Sequence, residues 1–172
     1  MSNVPNPRSP QCVIADDLRA SRELLRGWVS ECGYECTTTA NGEDAWSAIK
    51  QVLPQLIVTD IEMPVASGLD LLCSLRQHPS AELKAIPVIV ISSLQDDDIR
   101  SFVQNAGGTV FLMKPLDKRR TQRVVRRMDQ VASVANANFH HSVHEHPRPN
   151  RRISPTLRRL YREVQENGPK FR

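Results

Sequence analysis

The sequence predicts an α/β fold in which a doubly wound, five-stranded parallel sheet is covered by five helices. A linker and a short C-terminal helix are expected after it. The prediction rests on strand-like and helix-like segments that alternate five times between Cys12 and Ala135. It also rests on strands that are continuous apolar runs, which is typical of parallel strands with both faces covered. Right-handed crossovers then favour an open doubly wound topology.

The five predicted strands are short runs of four to seven residues. The second is rich in β-branched threonine, which suits a pleated strand. The fourth is the most apolar. In order, the strands are "CVIA" at 12–15, "YECTTTA" at 34–40, "LIVT" at 56–59, "IPVIVIS" at 86–92 and "TVFLM" at 109–113.

Each strand is followed by a segment with the apolar spacing of a helix. Gly33 stands where a C-cap glycine would end the first helix, and Asn41 is a typical N-cap for the second. Leu53 is expected on the inner face of that second helix. The aspartates at 96–98 fall in the first turn of the fourth helix, where the helix dipole favours negative charge. The predicted helices cover 18–33, 41–54, 67–77, 94–107 and 116–135.

The length and composition suit one folded domain with an extension. The chain has 172 residues, of which 40% are hydrophobic, enough for one core. We expect a cytoplasmic protein, because the first ten residues lack the apolar run of a signal peptide and no stretch approaches a membrane span. The four cysteines are Cys12, Cys32, Cys36 and Cys73. Their spacing fits neither a redox motif nor a zinc site, so we expect reduced structural thiols.

Charge is distributed unevenly along the chain. Residues 1–116 hold 9 Lys/Arg and 14 Asp/Glu, a net charge of −5, whereas residues 117–172 hold 14 and 5, a net charge of +9. A basic end on an acidic body suggests an acidic partner or surface for that end. The predicted division is a flexible N-terminus at 1–9, a folded domain at 10–134, a linker at 135–153 and a short amphipathic helix at 154–167.

Charged and hydroxyl side chains follow four of the predicted strands, at the edge where doubly wound sheets bind ligands. Asp16 and Asp17 follow the first strand, Asp60 the third, Ser92 the fourth and Lys114 the fifth. Three neighbouring carboxylates resist joint ionisation, and Mg²⁺ held by carboxylates, water and phosphate oxygens relieves that repulsion. With a lysine opposite, the set suits phosphoryl transfer to a nucleophilic aspartate. A helix-capping role for Asp60 would leave the other charged residues unexplained.

Four segments of the chain resemble the receiver domain of two-component response regulators. They are "VIADD", "IVTDIEMPVASGLDLL", "IPVIVISS" and "GGTVFLMKP", and the resemblance covers about 10–134. It implies a flavodoxin-like sheet of strand order 2-1-3-4-5. It also implies that Asp60 accepts a phosphoryl group from a histidine kinase or phosphotransfer protein. The chain would then be a signalling protein, not an enzyme, with Mg²⁺-dependent self-phosphorylation and dephosphorylation as its only catalysis.

The same resemblance implies a set of ligands for Mg²⁺. Asp17 and Asp60 would bind the ion directly, and Asp16 would assist. The backbone carbonyl of Glu62 would supply a further ligand.

The resemblance also implies which residues respond to the phosphoryl group. Ser92 would hydrogen-bond the aspartyl phosphate, and Lys114 would contact it. Phe111 stands at the position of the family's rotating aromatic residue, although an ordinary core role explains Phe111 equally well. Two residues depart from the commonest family pattern, because Ser93 replaces a smaller alanine and Glu62 adds a second acid near the phosphate. Both could tune dephosphorylation.

The fifth predicted helix has a strongly basic surface. In receivers, the fourth helix, fifth strand and fifth helix commonly form the dimer or partner face, so the basic fifth helix could pair with an acidic fourth helix of a second copy. A solvated charged face is an equally good interpretation. The basic residues are Lys118, Arg119, Arg120, Arg123, Arg126 and Arg127.

The C-terminal tail and its linker permit more than one interpretation. The tail arginines could bind nucleic acid, but a short amphipathic docking helix with Leu157, Leu160, Tyr161 and Val164 on one side fits better. It could dock on its own receiver, on a second copy or on another protein. The linker histidines are better explained by a solvated segment than by a metal site. They are His140, His141, His144 and His146.

The sequence therefore favours a phosphoaccepting receiver that controls the binding of a downstream protein. The first alternative is a nucleic-acid-binding regulator whose basic C-terminal segment is the output. The second is a metal-dependent hydrolase of external phosphoesters, which would also use Asp60.

Overall fold

A computed structural model describes residues 9–95 and 99–138, with side chains described as far as Met128. Beyond them it describes Pro155, Arg158, Arg159, Arg162, Glu166 and residues 169–171. Five strands form one parallel sheet in the order β2-β1-β3-β4-β5, as predicted. The strands are β1 (Gln11–Ala15), β2 (Glu35–Thr39), β3 (Leu56–Asp60), β4 (Val88–Ser92) and β5 (Val110–Met113).

Helices cover both faces of this sheet, and each face has a separate apolar core between the sheet and its helices. One face packs against α1 and α6, and the other packs against α2, α3, α4 and α5. The described helices are α1 (Arg19–Ser30), α2 (Gly42–Val52), α3 (Gly68–Gln77), α4 (Ala81–Ala85), α5 (Ile99–Asn105) and α6 (Lys118–Asn138). The doubly wound fold predicted from the sequence is therefore confirmed.

The short helix α4 is an addition to the five predicted helices. Its five residues follow Ser80, whose Oγ accepts a hydrogen bond from the backbone N–H of Leu83 at 3.4 Å. Leu83 is buried in the core of the same face as α3. A single turn of helix has too few residues to produce a visible apolar period, so tertiary packing decides its conformation.

Capping side chains fix the starts of α2 and α3. The Asn41 side chain accepts a hydrogen bond from the Asp44 N–H at 2.8 Å, as its predicted N-cap role requires. Ser67 and Asp70 form a reciprocal capping box at the start of α3. The prediction for Leu53 was wrong, because this residue ends α2 in a left-handed conformation (φ 47°) that leaves its side chain 48% exposed.

The loop between β3 and α3 lies tightly against the end of β3. Gly68 donates its N–H to the Ile61 carbonyl at 3.0 Å, and a Cβ at Gly68 would overlap the carbonyl oxygen of Asp60. Only glycine permits this close approach of two backbones. The sequence requirement at Gly68 therefore comes from the position of Asp60.

Several sequence-based expectations concern residues outside the described part of the chain. They include the aspartates at 96–98, the linker histidines and most of the predicted helix at 154–167, in which the five described residues are helical. The division of the chain into four segments stays a prediction, and α6 continues as far as Asn138. Among the described residues, no helix has the length and apolar character needed to cross a membrane.

Candidate functional site

Asp60 is the last residue of β3, and its side chain lies at the carboxyl edge of the sheet. The residue is only 4% exposed. One carboxylate oxygen, Oδ2, accepts a short hydrogen bond from the Lys114 ammonium. The other, Oδ1, accepts the backbone N–H of Glu62 at 3.2 Å. Burial raises the pKa of this carboxyl above its usual value, although the Lys114 ammonium opposes the shift.

Asp16 follows β1 and is fully buried beside Asp60. Its Oδ1 accepts the Leu18 N–H at 2.9 Å, and its Oδ2 accepts the Ser21 hydroxyl at 2.6 Å and Lys114 Nζ at 3.0 Å. Every carboxylate oxygen of this buried acid thus has a donor. The network holds the side chain in one orientation toward Asp60.

Arg22 fixes the backbone that carries the two neighbouring aspartates. Its Nη1 donates to the carbonyl oxygens of Asp16 at 2.5 Å and Asp17 at 2.9 Å. Sequence reasoning did not identify Arg22 or Ser21 as part of the site. The sequence feature that could have identified them is their position in the first turn of α1, directly after the acidic pair. A side chain at this position can reach back to the strand end.

Lys114 follows β5 and connects two buried carboxylates from different strands. Its ammonium donates to Asp16 and Asp60, and its backbone N–H donates to the Ser92 carbonyl at 2.8 Å. Partial burial by itself lowers the pKa of the lysine. The hydrogen bonds and negative charges of Asp60 and Asp16 outweigh that effect, so the pKa of Lys114 is raised. The lysine is therefore a permanent cation at this edge.

Three carboxylates form a compact donor set beside this lysine. One oxygen each from Asp16, Asp17 and Asp60 lies within 4.8 Å of the others. Asp16 and Asp60 are buried, whereas Asp17 is exposed and opens the cluster to solvent. Hard oxygen ligands in such a cluster are chemically suited to a divalent cation such as Mg²⁺.

Hydroxyl and aromatic side chains complete the surroundings. Ser92 is fully buried at the end of β4, and its Oγ accepts the Leu94 N–H at 3.0 Å. Ser93 donates its hydroxyl to the Glu62 carboxylate at 3.3 Å. Phe111 is buried in β5, and the Arg100 guanidinium lies 5.7 Å from the centre of its ring.

Comparison with known protein families identifies this arrangement. The family model described as "Response regulator receiver domain" matches residues 12–126, which include all of the residues described above. The chain belongs to the response regulator receiver domain family. It is thus the receiver of a two-component response regulator, as the sequence motifs predicted.

Two similar proteins are much longer than this chain. RcaC of Microchaete diplosiphon is 31% identical over 137 residues, which are 76% of this chain and 20% of RcaC. The DNA-binding transcriptional regulator NtrC of Escherichia coli strain K12 is 30% identical over 158 residues, 91% of this chain and 28% of NtrC. The chain thus spans about a quarter of the length of these two relatives.

A solved structure supports the fold of the receiver independently. The chemotaxis response regulator CheY4 of Vibrio cholerae superposes with a TM-score of 0.64, covering 70% of this chain and 98% of CheY4. Its sequence identity is 21%, so this likeness concerns the fold alone.

The receiver brings most of the sequence-predicted site residues to one place. Asp16, Asp17, Asp60 and Lys114 form one connected cluster. Backbone hydrogen bonds connect this cluster to Ser92 and Glu62, the other predicted positions. The parallel register explains the convergence, since Ala15 pairs with Thr59 and Asp60 pairs with Ile91 at the same edge.

Proposed function

We propose that this receiver accepts a phosphoryl group on Asp60 and that the modification controls protein binding. The observation that carries the proposal is the position of Asp60. A buried carboxylate ends the central strand between a second buried acid and a lysine. Burying such a charge is costly, and a chemical role for the carboxylate accounts for the cost.

Asp60 is the proposed nucleophile. One of its oxygens attacks phosphorus in a phosphohistidine of a histidine kinase or phosphotransfer protein. An O–P bond forms, the P–N bond breaks, and the electron pair leaves with the imidazole. The carboxyl must be ionised for this step, and the Lys114 ammonium stabilises the ionised form against the effect of burial.

Mg²⁺ is the proposed cofactor, and the donor set fits it. Asp17 and Asp60 would be direct ligands, Asp16 would assist, and the backbone carbonyl of Glu62 would be a further ligand. The bound ion would offset the negative charge that collects on the transferring group. Lys114 would hold a phosphoryl oxygen on the opposite side.

In the proposed output, changes at Ser92 and Phe111 alter the surface formed by α5, β5 and α6. Ser92 would turn its hydroxyl from the Leu94 N–H toward the aspartyl phosphate, and β4 and β5 would adjust together. A downstream protein, or a second copy of the receiver, would bind the altered surface more tightly. Phosphorylation can shift this equilibrium only as far as the two states differ in contact energy.

The test is intact-mass measurement after incubation with acetyl phosphate, with and without Mg²⁺. We expect one phosphoryl adduct on the wild type, only with Mg²⁺, and none on Asp60→Asn. The matched control is Asp44→Asn, an exposed acid in the first turn of α2, which should be labelled like the wild type. Labelling of Asp60→Asn to the wild-type level would contradict the assignment of the nucleophile.

A hydrolase of external phosphoesters would behave differently in the same experiment. It would turn over an aryl phosphate many times and lose that activity in Asp60→Asn. We propose instead that catalysis is limited to the protein's own phosphorylation and dephosphorylation, so aryl phosphate turnover should be absent.

Nucleic-acid binding is a second candidate function, favoured by the basic surface of α6. All six of its Lys and Arg residues between 118 and 127 are exposed. Such a surface can neutralise phosphates, and the affinity then falls steeply with salt. Full-length protein should then shift a DNA duplex at low salt, and Arg123→Ala with Arg127→Ala should weaken the binding. Absence of a shift would leave protein binding as the output.

A further inference from the structure

The last described residues of the chain contact the receiver on the face opposite α6. Phe171 stacks on Trp46 of α2, with ring centroids 5.4 Å apart and an interplanar angle of 16°. Its backbone N–H donates to Ser74 Oγ of α3 at 3.1 Å. Lys170 donates a short hydrogen bond to the carbonyl oxygen of Val65. We call this set of contacts the tail contact.

The receiver residues in the tail contact make three kinds of interaction. Trp46 offers an aromatic face, and the residue is only 3% exposed when Phe171 is in place. Ser74 is a fully buried acceptor that fixes the backbone of Phe171. Val65 presents a carbonyl oxygen to the lysine. The Phe171 ring, the Phe171 backbone N–H and the Lys170 ammonium thus each meet a matching group on the receiver.

The tail contact also reaches the loop that follows Asp60. Val65 has a left-handed backbone (φ 67°), which β-branched residues rarely adopt, and its side chain is 63% exposed. The Ala66 N–H donates to the Pro64 carbonyl at 2.7 Å, which closes a tight turn around Val65. Lys170 therefore donates to the carbonyl oxygen of a constrained turn.

The chain between α6 and the tail contact is long enough to connect opposite faces of the sheet. The 31 residues between Asn138 and Lys170 would reach about 45 Å even at the rise of a helix, about 1.5 Å per residue. A small domain is only about 30 Å across. Contact within one molecule is therefore geometrically permitted.

We propose that the α2–α3 face is a binding site for a Lys-Phe segment and that this chain's own Lys170–Phe171 occupies it. The occupant covers Trp46 and holds the Val65 turn. A protein partner that uses this face would have to displace the tail. The proposal is independent of phosphorylation at Asp60.

The test measures acrylamide quenching of Trp46 fluorescence in the full-length protein, with Trp28→Phe as the background. Phe171→Ala should raise the quenching constant by about two-fold, because the ring loses the atoms that cover one of its sides. Ser74→Ala should raise it less, since the stacked ring remains. The matched control is Leu24→Ala, a 49% exposed residue of α1 on the opposite face, which should leave quenching unchanged.

Two outcomes would overturn the proposal. Equal quenching in Phe171→Ala and its parent would show that the tail does not cover Trp46 in solution. Quenching that rises on dilution, together with a mass that falls from dimer to monomer by light scattering, would identify a second copy's tail as the occupant. The intramolecular site requires quenching that is independent of protein concentration.

Discussion

The carboxyl-edge site and the tail contact both join distant parts of the chain, but different parts of the fold hold them. At the edge, Asp16, Asp60 and Lys114 stand at the ends of three strands of one sheet. Their side chains are mostly buried and bonded to one another. The sheet that forms the core therefore also sets the geometry of the site.

The tail contact has no such support from the sheet. Lys170 is exposed and Phe171 is half-buried. Their partners Trp46 and Ser74 belong to helices that already pack on the core. Trp46 and Ser74 are thus part of the folded receiver, whereas Lys170 and Phe171 are an addition to it.

This difference teaches which contacts can change without unfolding the protein. Backbone positions at strand ends cannot move far apart unless the sheet is disrupted, although the side chains there can reorient. The tail contact orders only Lys170 and Phe171, so it can form and break with small free-energy changes. Regulation by displacement suits the second kind of contact, and precise chemistry suits the first.

The sharpest way to test this comparison is to truncate one phenylalanine in each region. Phe111→Ala should lower the free energy of unfolding by about 3–5 kcal/mol, because its ring is buried in β5. Phe171→Ala should cost about 1 kcal/mol, the typical value of one aromatic pair. Urea denaturation of the full-length variants measures both, and similar losses would show that the tail belongs to the cooperative fold.

The sequence predicted the carboxyl edge well because strand ends obey simple rules. Apolar runs followed by Asp16, Asp60 and Lys114 can converge only at one edge of a parallel sheet. The resemblance to receivers then supplied roles that spacing alone could not give. The topology and the convergence of these side chains were predictable for the same reason, since the convergence is a consequence of the topology.

Other features depend on contacts that no local pattern encodes. Arg22 reaches back from α1 to the carbonyls of Asp16 and Asp17, a contact that requires the strand and helix to be placed first. Leu53 fits an apolar helix face by spacing, yet α2 ends at Val52 and leaves it in the turn. Phe171 contacts Trp46 although 32 residues separate it from the end of α6, and nothing in its sequence neighbours predicts the pairing.

Substitutions at two glycines, Gly68 and Gly27, test how rigidly the carboxyl edge of the sheet is held. In Gly68→Ala the new Cβ would overlap the Asp60 carbonyl and lie 2.9 Å from Thr59 Oγ1, so the loop must move. We expect a loss of about 2–3 kcal/mol in unfolding free energy and slower labelling by acetyl phosphate. Differential scanning calorimetry and the intact-mass assay measure the two effects.

The control for this glycine lies in the middle of α1. Gly27 has open space around its Cβ position, so Gly27→Ala should stabilise the protein by about 0.5–1 kcal/mol through helix propensity. Its phosphoryl labelling should be unchanged. If Gly68→Ala were as well tolerated as Gly27→Ala, the loop would be free to move away from Asp60, and the edge would be less rigid than its contacts indicate.

The smallest of the edge effects concerns the cation that two buried carboxylates share. Lys114→Met removes the ammonium from Asp16 and Asp60 and should cost about 2 kcal/mol without Mg²⁺, because the two acids then repel each other. Lys118→Met breaks only the exposed pair with Glu31 and should cost less than about 1 kcal/mol. Added Mg²⁺ should raise the melting temperature of Lys114→Met more than that of the wild type, since the ammonium no longer competes for the same oxygens. Equal Mg²⁺ effects on both proteins would mean that the ion binds away from the lysine, and the three aspartates would then not act as one site.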